Sequence, residues 1–166
     1  GFTLIEMVVV LSIITLIVGI SLPAFNAYMD SAKERVTREE MEGLREATLT
    51  YSRDTGRLPN QLTKLYADNR TGWGGPYVDD PLGGANVEGE GYRYDEWRQI
   101  YKYKRLNSKR AEIKSAGRDR SHGTSDDIVF TVDITPVLRD MTKTRLDIIN
   151  AAILKFRTIE PDPLPT

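Results

Sequence analysis

Apolar and polar positions divide this chain into stretches of very different character. Residues 1–25, GFTLIEMVVVLSIITLIVGISLPAF, are apolar almost throughout and carry one formal charge, Glu6. A run of about 24 such residues crosses a bilayer as a helix rising about 1.5 Å per residue. It exceeds the roughly 7–15 apolar residues of a secretory signal peptide, and no small-residue cleavage site follows Phe25. Beyond Pro23 the pattern turns amphipathic. Met41, Leu44, Thr48 and Tyr51 fall at i, i+3, i+7 and i+10, and Glu alternates with Arg and Lys on the other faces. Gly56 supplies a stop and Pro59 reinforces it. The spacing predicts one helix from about Phe2 to Thr55, about 80 Å long if unbroken. A kink or unwound stretch is expected near Gly19–Pro23, where proline removes a backbone donor.

Past Gly56 the helical period gives way to turns and short strands. The segment 72–78 (GWGGPYV) and Asp80-Pro81-Leu82-Gly83 are Gly/Pro turns, and Trp73 and Tyr77 are aromatic anchors expected to pack against the helix. Strand-like runs follow at Tyr92–Tyr94, Ile100–Leu106, Glu112–Ser115 and Ile128–Val132. In the second of these, Ile100, Lys102 and Lys104 alternate with Tyr101, Tyr103 and Arg105, a period of two. Together they predict a small antiparallel sheet. Residues 137–158 return to helical spacing, with Leu146, Ile149, Ile153 and Phe156 at i, i+3, i+7 and i+10, before a proline-rich end. Two readings of this tail stand side by side. It is a C-terminal amphipathic helix packed on the sheet, or it opens a partial repeat, since Ala47, Leu49 and Tyr51 match Ala152, Leu154 and Phe156.

The expected fold class is α+β: a long N-terminal helix with a membrane-spanning first half, a small antiparallel sheet and a C-terminal helix. The corresponding divisions are 1–25, 26–56, 57–134 and 135–166. At 166 residues and a net charge of -1, the chain has room for one compact domain and no basic surface for nucleic acid. It has no cysteine, so disulfides and thiolate metal sites are excluded. His122 is the sole histidine and is expected in an exposed loop position. No phosphate-binding glycine loop and no nucleophile–histidine arrangement is present, so an enzyme is not expected.

Two features carry chemistry. Glu6 is a carboxylate one turn into an apolar segment, where a charge costs a few kcal/mol and calls for a partner. An amine on Phe2 would lie on the same helix face, four residues away. The second feature is the loop SAGRDRSHGTSDDIVF at 115–130, with Asp119, Asp126 and Asp127 around Gly117 and Gly123. Hard cations such as Ca2+ take six to eight oxygen ligands from carboxylates and carbonyls, and a curled loop of this composition supplies them. The spacing is not that of an EF-hand. Arg118 and Arg120 flank Asp119, so charge pairing is the competing explanation of the loop.

The opening Gly-Phe-Thr-Leu-Ile-Glu, followed by an unbroken apolar run, resembles the processing site of type IV pilins and of the pseudopilins of type II secretion. The segment Thr55-Gly-Arg-Leu-Pro59, the glycine/proline turns and the Asp-rich loop resemble most closely the major pseudopilin. The resemblance covers about residues 1–134. It implies peptidase cleavage between Gly1 and Phe2, N-methylation of Phe2, and a subunit-assembly role for Phe2, Glu6 and Pro23, with Glu6 neutralising a neighbouring subunit's amine. It implies a calcium site in which Asp119, Asp126 and Asp127 bind through side chains and Ala116, Ser121 and Thr124 through backbone oxygens. It further implies a homopolymer that meets a prepilin peptidase, an inner-membrane assembly platform, minor pseudopilins and membrane lipid. The subunit would span the bacterial inner membrane once, with its soluble part and the filament in the periplasm. The alternatives are a type IV pilus pilin forming extracellular fibres, and an unrelated single-span membrane protein. The tail beyond 134 departs from the family pattern.

Overall fold

The computed structural model describes residues 1, 3–79 and 91–159. Helix α1, Leu4–Thr55, runs 52 residues. Thr3 caps its start with a reciprocal capping box closed by Glu6, and Gly56 ends it in a left-handed conformation, φ 74°, with its N–H donating to Ser52 O at 2.9 Å. The backbone stays helical through residues 19–23, so the expected unwound stretch is absent. The loss of a single N–H donor is a local defect that the intact turns on either side can bridge. Glutamate–arginine pairs on the solvated faces, such as Arg38–Glu34 at 2.8 Å and Arg35–Glu39 at 3.0 Å, follow the i,i+4 spacing.

Three strands form one antiparallel sheet in the order β1 (Lys102–Arg105), β2 (Arg110–Ser115), β3 (Ile128–Asp133). Tyr103 pairs with Ile113, and Ile113 with Phe130. Alternation sends Tyr103, Ala111, Ile113 and Val132 toward α1 and leaves Lys104, Glu112 and Thr131 on the other face. Met41, Leu44, Ala47 and Tyr51 meet that sheet in one core with Leu58, Leu62, Leu65, Trp97 and Tyr101. Trp73 and Tyr77 pack at its margin, as anticipated, and Tyr77 stands edge-on to both Trp73 and Tyr51. The run Tyr92–Tyr94 is not a strand. It lies in a short 3-10 turn, Gly91–Arg93, plus one bridge from Tyr94 to Ile100. Asp80-Pro81-Leu82-Gly83 lies outside the described residues.

Helix α2, Thr135–Ile159, follows β3 directly. Asp133 accepts the Thr135 N–H at 2.8 Å and Arg110 Nε at 2.8 Å, and these contacts, that to Thr135 first, hold its carboxyl down at about 2. The expectation that this helix packs on the sheet is corrected. Leu138 touches the core, but every described side chain from Thr142 to Thr158 is exposed. The reason is geometric: α1 fills the apolar face of the sheet, and the opposite face is polar but for Val129.

Candidate functional site

The first candidate is the amino-terminal half of α1. Leu4, Leu11, Leu16 and Ile17 are each more than half exposed, as are most of their neighbours, so none of the described residues covers this part of the apolar run. Among the described residues no helix is long and apolar enough to cross a membrane; the side chains of residues 20–24, Pro23 included, lie outside that description. Phe2 does too. Glu6 Oε2 accepts the Thr3 N–H and the Thr3 hydroxyl, both at 2.8 Å. Within one chain, then, the carboxylate caps its own helix, a role that leaves it on the surface and free to exchange partners.

The second candidate is the loop between β2 and β3. Its carboxylates turn inward. Asp126 accepts the Asp119 N–H at 2.9 Å and the Thr124 hydroxyl at 2.7 Å. Asp127 Oδ2 accepts the Gly123 N–H at 2.8 Å, and Asp119 Oδ1 accepts the Ser121 N–H at 2.7 Å. The backbone bond from Asp119 and the bond from Thr124 hold the Asp126 carboxyl below the usual carboxylate range. Gly117 has φ 67°, and a side chain there would run into the backbone oxygen of Asp126, so glycine is required. Asp127 Oδ1 is buried with no hydrogen-bond partner among the described residues, and so is His122 Nδ1. His122 is therefore half-buried, not the exposed loop residue expected.

The arginine-paired explanation of the loop fails geometrically. Arg118 reaches Asp30 on α1 at 3.7 Å, and among the described residues no guanidinium pairs with Asp119, Asp126 or Asp127. Nor do three His, Cys, Asp or Glu side chains among the described residues gather to hold a metal. Any cation here would draw on backbone carbonyls. Ser121 O now accepts the Thr124 hydroxyl at 2.9 Å, and Thr124 O accepts the Asp127 N–H at 3.4 Å. Ala116 is buried at the start of the loop.

One element of this region escaped the sequence. Buried Asp95 accepts the Trp97 N–H at 3.0 Å, the Gln99 N–H at 2.8 Å and the Ser115 hydroxyl at 2.6 Å. Ser115 Oγ in turn accepts the Gly117 N–H at 3.1 Å, so Asp95 fixes the first residues of the acidic loop. A short Asp-Glu-Trp-Arg-Gln turn is the only signal, and it does not name Ser115. Nearby, Tyr101 donates to Glu40 at 2.8 Å, tying β1's approach to α1. Burial raises the Glu40 carboxyl, partly offset by that bond, and raises the Tyr101 hydroxyl as well.

A helix half buried by a small antiparallel sheet, with its other half apolar and bare, defines a pilin-like subunit. The family model described as "Type II secretion system (T2SS), protein G" matches residues 25–132, and the chain belongs to that family. No curated protein and no solved structure matches the chain. The family is a structural component of a secretion system, not a family of enzymes, and membership implies assembly into a filament with other secretion components.

Proposed function

We propose that this chain is a major pseudopilin: it polymerises from the bacterial inner membrane into a periplasmic filament that drives protein export. The uncovered apolar half of α1 carries this reading, because a helix face of that size is stable only in lipid or against other copies. Cleavage between Gly1 and Phe2 would free the Phe2 amine for methylation. Glu6 would leave its capping bond with Thr3 to neutralise the amine of an adjacent subunit, which sets the axial register. Pro23 would lie where neighbouring helices meet.

The test is Glu6→Leu in cells that assemble the filament. The variant is expected to insert and be processed, while filament and exported protein fall at least about tenfold, since an uncompensated charge in the apolar layer costs on the order of 3 kcal/mol. Normal filaments from Glu6→Leu would sink the proposal. Long fibres outside the cell would instead point to a pilus.

We propose also that the loop 116–127 holds Ca2+. Asp119, Asp126 and Asp127 bring only oxygen donors, which suit a hard cation that would draw their carboxylates together, and Asp127 Oδ1 has no hydrogen-bond partner among the described residues. Carbonyls of Ala116, Ser121 and Thr124 would complete the shell. The ion would stiffen the loop and do no chemistry. Calcium at 100-fold excess over its dissociation constant should then stabilise the fold by about 2.7 kcal/mol against chelator. Asp126→Ala/Asp127→Ala should abolish the shift. An unchanged melting temperature in the parent chain would remove calcium and leave the filament proposal standing.

A further inference from the structure

The apolar stripe of α2 has no cover, and its residues have counterparts that do. Thr37, Met41, Leu44, Ala47, Thr48, Tyr51 and Ser52 are the buried positions of α1, and all but Ser52, whose counterpart is Arg157 at the helix end, have apolar or identical counterparts in α2. At one constant offset the first six fall on Thr142, Leu146, Ile149, Ala152, Ile153 and Phe156. Threonine meets threonine, alanine meets alanine, and every other partner is apolar. Met41, Leu44 and Tyr51 are 0, 4 and 0% exposed, whereas Leu146, Ile149 and Phe156 are 54, 53 and 66% exposed. Past the helix the likeness resumes after a one-residue shift: Leu58-Pro59 follows α1, and Leu164-Pro165 follows α2.

We propose that α2 is the spine of a second helix-and-sheet unit in the same polypeptide, and that the chain following Thr166 supplies the sheet that covers it. A second copy of the chain does not fit as the occupant. Its sheet already holds α1 on the apolar face, and the other face presents Lys102, Lys104, Glu112, Lys114 and Thr131 around the single apolar Val129. Paired α2 helices fit less well than a sheet. The matched stripe keeps the small Ala152 where Ala47, 6% exposed, lets α1 approach its sheet closely. Such a protein would carry two soluble units on one apolar N-terminal segment. The inference stands whether or not the chain forms a filament.

The experiment compares the natural reading frame, expressed to its stop codon, with the chain ending at Thr166. Intact mass is expected well above 18.8 kDa. Amides of residues 142–158 should exchange about a hundred-fold or more slowly in the longer chain. Ile149→Asp/Ile153→Asp should abolish that protection and a second unfolding transition while leaving the first transition in place. Asp147→Asn, on the polar face, should change neither. A natural polypeptide of 18.8 kDa overturns the proposal. So does protection that already exists in the chain ending at Thr166 and grows with its concentration, which would identify helix pairing between copies. Unaltered exchange in the double variant would overturn it too.

Discussion

Tyr51→Ala is expected to destabilise the soluble unit by about 3–5 kcal/mol, the range for removing a large aromatic from a packed core. Tyr51 has no exposed surface and joins three parts of the fold. Its ring stands edge-to-face with Tyr77 at 5.9 Å, the Arg70 guanidinium lies 5.9 Å from its centroid, and its hydroxyl donates to Asp68 at 2.7 Å. Burial first, and the bond to Asp68 second, push the hydroxyl up to about 12, so it stays a donor throughout the physiological range. Alanine would leave a cavity between helix and sheet and loosen the segment that carries Asp68 and Tyr77. Tyr51→Phe keeps the ring and should cost only about 1 kcal/mol, because Asp68 retains Lys64 at 3.5 Å. Urea unfolding followed by the fluorescence of Trp73 and Trp97 reads both variants. Equal midpoints for alanine and phenylalanine would refute the packing account.

Asp95→Ala should cost about 3–5 kcal/mol, because two amides and one hydroxyl would lose a common acceptor inside the fold, at about 1–3 kcal/mol for each buried orphan and with partial relaxation. The effect should reach beyond stability. Ser115 would lose the carboxylate that orients its hydroxyl, and Gly117 would lose the oriented Ser115 Oγ, so the acidic loop would begin from an unfixed backbone. Asp95→Asn keeps an oxygen for the Trp97 and Gln99 amides and presents Nδ2 to Ser115; it should cost less than half as much. If calcium binds as proposed, its stabilisation should shrink in Asp95→Ala and persist in Asp95→Asn. Calcium stabilisation intact in both variants would show that the loop sets its own shape.

What the sequence disclosed and what it hid follow one rule. Periodic features were legible: the long helix, its stop at Gly56, the alternation of Tyr101 and Tyr103 with Lys102 and Lys104, and the stripe from Met41 to Tyr51. Each is written by neighbours a few residues apart. The bonds from Asp95 to Ser115, Tyr51 to Asp68 and Tyr101 to Glu40 join distant positions, and no local spacing marks them. Tyr92–Tyr94 shows the opposite failure: aromatic residues suited to a strand are held in a turn beside Gly91. The α2 stripe is legible as apolar, but of its two readings the one that packs it on the sheet does not hold, because periodicity states that a face seeks cover and not which surface provides it. The acidic loop was legible only as carboxylates; which backbone oxygens turn inward is a matter of dihedral angles such as those at Gly117 and Gly123.

In α1 the deeply buried side chains begin at Thr37, while Leu4 through Met29 are exposed wherever they are described. The two halves of one rod therefore answer to separate selection. Under the proposed assembly, substitutions among the first residues would tune how firmly subunits hold one another without touching the melting point of any single subunit. If the filament forms as proposed, adding a subunit would need no refolding of its sheet unit, and the work would be done only against lipid and contacts between rods.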